Sequence, residues 1–375
     1  MSLAEKLRAA AGPPPPAVRR VSGLAVVCSL LAACSASPPP AVPEPVPEPP
    51  VEAPPVEAAA PRMAEVAEVW IGEPRPEEGI VGLAAWAGGG DRAWVIAAAA
   101  DTDRLLIFDA ATGEALAEHG AAGEIAGRFR DPAGVAVVGG LALVAEAEGG
   151  RVQVLRLPGL STAGFLGAGT LRAPSLLAAA RAGDGYEVWV ADRAEGEGRG
   201  EIVRLRFALE GDSLRGEVGA PITATKSGGE TLAPLAALGA DPARERLLVA
   251  EQGRDGGGLW ILDRDGRFAG RAAEGLGGGP PGLALFPCGE EGGWWIVAEP
   301  GDGPTRFLLL DRATLEPVGS FTGAATVGSS AVAAAPAGTP ELPAGAVYAV
   351  DREGAVTAFD WRAVAAALAL PACGP

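Results

Sequence analysis

Six carboxylates recur at one place in a repeating pattern, each close behind a short apolar run: Asp101, Glu146, Asp192, Glu251, Glu299 and Asp351. Carboxylates brought together repel and raise one another's pKa unless a cation lies among them. Ca²⁺ is the cation that takes six to eight oxygen ligands. Glu146, Asp192, Glu251, Glu299 and Asp351 are therefore read as a ring that either holds one or more Ca²⁺ ions or ends its strands as solvated acids. Asp101 falls a few residues late in the first repeat. The sequence has one histidine, His119, between two repeats, where it is expected to be a polar surface residue of a loop. A single histidine excludes His-rich zinc sites and weighs against Ser-His-Asp and Cys-His mechanisms. No catalytic residue can be assigned from these types and spacings.

The elements that must position these acids come from internal repetition. Six segments share an apolar strand, an acidic or small polar turn and a second strand. They read AWVIAAAADTDRLLIFD, LALVAEAEGGRVQVLRL, YEVWVADRAEGEGRGEIVRLRF, RLLVAEQGRDGGGLWILDR, WWIVAEPGDGPTRFLLLDR and AVYAVDREGAVTAFDWR. They recur about every 45–50 residues. A further apolar run precedes each (VGLAAW, GVAVV, SLLAAA, LAPLAAL, GLALF, SAVAAA), and a polar–apolar stretch follows most of them. Four short strands per unit, bounded by Gly, Asp and Pro, argue for an all-β chain. Six such units predict a six-bladed β-propeller. The Ala- and Gly-rich first runs suit a crowded centre.

In that architecture the loop after the second strand and the lead-in to the first share a face, so the acids would ring the channel mouth. Residues 64–72, AEVAEVWIG, are left over at the start and the last unit lacks an outer strand, so this segment is expected to close the last blade and leave no open edge. Asp131-Pro132-Ala133-Gly134 is expected as a turn. Trp294 and Trp295 should point to opposite faces of one strand.

Ahead of the repeats, Arg19 and Arg20 precede an apolar run at 21–31 that is too short to span a bilayer and fits a signal peptide. The run ends in Leu31-Ala32-Ala33-Cys34, which resembles the bacterial lipobox. The resemblance implies cleavage before Cys34, lipidation of its thiol, passage across the inner membrane and a lipid anchor. Ser35, in place of Asp, implies the outer membrane. Residues 38–61, PPPAVPEPVPEPPVEAPPVEAAAP, cannot bury a core and are expected as a disordered, semi-rigid polyproline spacer. The expected domains are thus 1–33 signal peptide, 34–63 lipidated Cys and linker, 64–363 propeller and 364–375 tail. With Cys28 removed and Cys34 lipidated, Cys288 and Cys373 remain as one pair, for which an oxidising compartment predicts a disulfide.

The chain of 375 residues holds 55 Gly and 34 Pro, yet its 48% apolar content excludes wholesale disorder. Its net charge of −17 sets it against nucleic acid and anionic membrane surfaces as direct partners. Removing residues 1–33, with Glu5 against Lys6, Arg8, Arg19 and Arg20, takes away +3 and leaves −20. A monomer is expected.

The order of motifs resembles the six-bladed β-propeller phytases over roughly residues 64–361. The most similar stretches are WVIAAAADTDRLLIFDAATGE, RLLVAEQGRDGGGLWILDRDG and GLALFPCGEEGGWWIVAEPGDGPTRFLLLDRATLEPVGSF. That resemblance implies a ring of calcium ions and phosphate release from phytate, with Lys and Arg holding the phosphates. The family's opening Asp-Asp-Pro-Ala-hydrophobic-Trp has Ala67-Glu68-Val69-Trp70 as its nearest counterpart, without the Asp pair. Arg130-Asp131-Pro132-Ala133 stands where the family has Asn-Asn-x-Asp. Ala236-Ala237 and Pro281-Gly282 replace its Glu-Gly elements, and Ala250-Glu251-Gln252 keeps part of Ala-Glu-Glu-Asp. Lys6 and Lys226 are the only lysines. Phytate hydrolysis needs cations at the developing charge. Two readings follow. One is a non-catalytic, surface-tethered lipoprotein whose propeller face binds a protein, peptide or small molecule, or serves as a scaffold. The other is a diverged calcium-dependent phosphoesterase. NHL-repeat and lactonase-like propellers fit the fold nearly as well.

Overall fold

A computed structural model of the chain describes residues 61–89, 92–193, 200–223, 226, 229, 231–252, 258–273, 276, 279–299, 301–371 and 373. The expected signal peptide, Cys34 and nearly all of the linker lie outside these residues. Among them the strands form six sheets, one per repeat, arranged as a propeller. Blade 1 is Ile80–Ala87, Ala93–Ala99, Arg104–Asp109 and Ala115–His119. Blade 2 is Pro132–Val138, Leu141–Glu146, Arg151–Arg156 and Ser161–Leu166. Blade 3 is Pro174–Ala182, Gly185–Arg193, Gly200–Glu210 and Ser213–Ile222. Blade 4 is Leu235–Asp241, Arg246–Glu251, Leu259–Asp263 and Phe268–Ala272. Blade 5 is Gly282–Cys288, Gly292–Glu299, Pro304–Asp311 and Pro317–Val327. Blade 6 is Ala331–Ala335, Ala346–Val350 and Val356–Asp360, with Trp70–Ile71 as its outermost strand.

The apolar runs are continuous because both faces of a blade pack on neighbours, so burial has no period of two. Leu141–Glu146 is buried at every residue, whereas the outermost Ser213–Ile222 is almost wholly exposed. The buried apolar side chains of the described residues fall into six clusters, one between each pair of adjacent blades. One of them joins Leu83 and Val95 of blade 1 to Ala333 and Tyr348 of blade 6, so the ring is closed. Trp294 packs between blades 5 and 6 and its neighbour Trp295 between blades 4 and 5. The centre is tight: a Cβ on Gly134 of blade 2 would lie 2.2 Å from the Ser175 carbonyl oxygen of blade 3.

The N-terminal segment closes the ring, but as two short strands rather than one. Arg62–Glu65 adds a fifth, parallel strand to the outer edge of blade 5, and Trp70–Ile71 pairs antiparallel with the third strand of blade 6. Glu68 sits at the break. Its carboxylate turns back to accept the backbone N–H groups of Ala324, Ala325 and Thr326 (2.9–3.1 Å) and the Thr326 hydroxyl (2.7 Å). The segment thus crosses from one blade to the next instead of lying along one. Arg62 pairs with Gly319, near the start of the fourth strand of blade 5. First strands run away from the mouth and fourth strands run back toward it, so the chain enters the propeller from the face opposite the mouth.

The C-terminus is bolted to that same far face. Asp360 caps the helix Trp361–Leu368 by accepting the Arg362 N–H at 2.8 Å. Trp361 stacks on Phe286 with ring centroids 3.9 Å apart, and Val364 and Leu368 are buried. The propeller therefore runs on through the helix, past the boundary expected at 363, and starts at Arg62 rather than at 64. Cys373 is joined to Cys288, at the far end of the first strand of blade 5, with Cα atoms 5.1 Å apart.

Candidate functional site at the channel mouth

The acids that end the second strands turn into their own blades. Glu146 is fully buried: Arg151 reaches both its oxygens (2.9 and 3.0 Å), Gln153 donates to it at 3.2 Å, and so does the backbone N–H of Arg130, also at 3.2 Å. Asp192 accepts the N–H groups of Arg172 and Ala173, the latter at 2.7 Å. Glu251 accepts the Ala233 N–H at 2.7 Å and the Trp260 indole N–H, and pairs with Lys226 at 2.9 Å. The three blades share one device. A carboxylate at the end of the second strand clamps the backbone two residues ahead of the first strand. Charge-assisted bonds to N–H groups offset the cost of burying the acid.

Glu299 instead pairs with Arg306 at 3.5 Å, and Asp351 closes its own turn by accepting the N–H groups of Glu353 and Ala355. Asp101 is exposed, and its N–H donates to the Glu78 carbonyl. Among the described residues no group of three or more His, Cys, Asp or Glu is placed to hold a metal ion. The donor set does not fit a shared calcium ring, because the oxygens of Glu146, Asp192 and Glu251 are already engaged within their own blades.

His119 is the last residue of its strand rather than part of a loop. It lies half-buried 6.1 Å from the Phe129 ring, and its Nε2 has no hydrogen-bond partner. Burial holds its pKa below the ordinary histidine value. Asp131 does form the expected turn, with φ +52°, and its N–H donates to Asp103 at 2.7 Å.

What faces the channel mouth is the set of lead-in segments themselves. They enclose a bowl of about 730 Å³ to which all six blades contribute: Val81, Ala133, Ser175, Ala236, Pro281 and Ser330 are one residue from each. Its charged groups among the described residues are Arg130, Asp131, Glu148 and Arg172. Below the bowl the channel narrows to a shaft of about 70 Å³ walled by such residues as Leu83, Val135, Leu177, Leu238 and Val332. Reading acids at strand ends missed Arg172. A signal for it was present: Arg130-Asp131-Pro132 and Arg172-Ala173-Pro174 repeat Arg-x-Pro at equivalent points ahead of two inner strands.

No protein-family model and no curated protein matches the chain. Solved structures of similar fold include Kuenenia stuttgartiensis hydrazine synthase, at 12% identity over 77% of this chain and 97% of that one, with a TM-score of 0.44. A nidogen/laminin complex shares 15% identity over 69% of this chain and 86% of that one, with a TM-score of 0.45. The Dos1 propeller shares 12% identity over 79% and 72%, with a TM-score of 0.42. Likenesses of this size say nothing about what the bowl holds.

Proposed function

We propose that the protein is a non-catalytic, lipid-anchored extracytoplasmic propeller that binds a ligand in the bowl at its channel mouth. One observation carries the reading: all six lead-in segments converge on a concave site with a few polar groups, the usual form of a ligand pocket. The clamped acids support it, since carboxylates spent on holding backbone are withdrawn from metal binding and proton transfer.

A thermal-shift screen of small anions, sugars and peptides tests the reading, because a ligand that binds only the folded state raises the melting temperature. A stabilising ligand is expected, and Ala236→Trp, which fills the bowl, should abolish its effect. A hit that survives Ala236→Trp places the site elsewhere. Phosphate release from phytate or an aryl phosphate that requires Ca²⁺ and vanishes in Glu251→Ala would replace this reading with a phosphoesterase.

A further inference from the structure

The far face carries a groove of about 820 Å³ across the end of blade 3, reaching Pro242 and Arg264 of blade 4. Among the described residues its charged lining is Arg181, Arg206, Arg215 and Arg264 against one carboxylate, Glu217. That is a local excess of positive charge on a chain of net charge −17. Behind the lining, the buried Glu187 holds three guanidiniums at once: Arg264 at 2.6 Å, Arg206 at 3.2 Å and Arg204 at 3.6 Å. Asp265 and Glu245 also pair with Arg204 and Arg264, at 3.1 and 3.6 Å, which leaves Arg206 with only its share of Glu187. Arg215 pairs with the exposed Glu210, a surface contact that another carboxylate can replace at little cost. Arg181 lies over the Tyr186 ring, 5.5 Å from its centroid, and has no carboxylate partner among the described residues. A guanidinium stacked on a ring keeps its edge donors for a carboxylate.

The outer wall of the groove is a strand edge. Arg215, Gly216 and Glu217 belong to Ser213–Ile222, the outermost strand of blade 3. It runs 10 residues, against 5, 6 and 5 for the outermost strands of blades 1, 2 and 4. Among the described residues nothing pairs with its outer edge, so alternate N–H and C=O groups stand open. The outermost strand of similar length, Pro317–Val327 of blade 5, already carries an added strand on that edge, Arg62–Glu65. On blade 3, Arg206 lies opposite Glu217 and Ala208 opposite Arg215, which puts Arg206 and Arg215 on one face of the blade. Every second side chain of a strand added there falls on that same face.

We infer that the outer edge of blade 3 is a docking site for an extended acidic segment of a partner protein, added as a fifth strand with its carboxylates on Arg206, Arg215 and Arg264. The edge selects a peptide over other polyanions, because phosphates and glycans cannot return main-chain pairing. A labelled peptide TEVEVEVT, whose acids all fall on one face, tests this by fluorescence anisotropy on the full chain. It should bind, and Arg206→Gln should weaken it about tenfold, with Arg215→Glu weakening it further. The scramble TVVEEEVT, of equal charge, should bind at least about tenfold more weakly. Of two peptides N-methylated at alternating residues, one should lose binding and the other keep it, since only alternate N–H groups face the edge. Ala236→Trp should change nothing, so failure at this edge leaves the bowl reading untouched. No binding of TEVEVEVT, a scramble or both N-methylated peptides binding as tightly as the parent, or binding indifferent to Arg206→Gln and Arg215→Glu would each overturn the assignment. Tripolyphosphate binding where no peptide does would leave an anion groove without strand addition, and peptide binding lost in Ala236→Trp would move the peptide to the bowl; both overturn it as well.

Discussion

Glu146 shows what the recurring acids do. With Arg151 only 13% exposed beside it, Glu146→Ala strands a guanidinium and the Arg130 N–H together. Removing one partner of a buried pair costs about 3–5 kcal/mol. Urea unfolding should show a loss of that size; a loss below ~1 kcal/mol would mean the clamp holds nothing. Millimolar Ca²⁺ should leave the melting temperature unchanged, and a rise that is reversed by chelator and absent in Glu251→Ala would put an ion among these groups. Glu68 links the same chemistry to pH. Burial alone would raise its carboxyl, but the Thr326 hydroxyl and the Ala325 and Thr326 N–H groups outweigh that and hold it below the ordinary glutamate value of 4.5. A carboxyl depressed by folding adds stability above its unfolded pKa and loses it as pH falls through the folded one. Stability should therefore fall more steeply below about pH 4.5 in the wild type than in Glu68→Gln, as read from melting temperatures across the acid range. The positions of the acids could be read from the sequence, but their orientation could not. Whether a strand-end carboxylate faces the channel or its own backbone depends on where the lead-in passes, and residues one strand apart do not encode that distance.

Among the elements, the strands were the most legible, because continuous apolar runs between Gly and Asp turns have few other homes. The N-terminal closure was legible as a missing outer strand. Its division between two blades was not, since it turns on Glu68 meeting Ala324 and Thr326 from the far end of the chain. The C-terminal helix is too short to hold itself and depends on docking. Trp361 against Phe286 and the Cys288–Cys373 link supply that docking. The disulfide closes a span of 85 residues, for which loop-closure entropy gives about 4.5 kcal/mol. Cys288→Ser with Cys373→Ser should lower the melting temperature accordingly, and reductant should shift the wild type but not the double variant. An unchanged melting temperature would show that the helix docks without its bolt.

At the scale of the whole molecule, stability is shared among six inter-blade clusters, and the cluster between blades 6 and 1 exists only when the ring is shut. Deleting residues 61–72 removes the outer strands of blades 5 and 6 and bares two sheet edges, which are templates for pairing between chains. Size-exclusion chromatography should then show association, with a lowered melting temperature; a monomer that melts like the wild type would make the closing strands dispensable. The closure also has a consequence in time. Chains are synthesised from the N-terminal end, so Trp70 emerges long before Ala358, the residue it must pair with. A chain interrupted anywhere before the third strand of blade 6 cannot shut the ring, however well its earlier blades are formed. The propeller reports its own completeness: only a fully synthesised chain hides its edges, and every shorter one stays marked for proteolysis or aggregation.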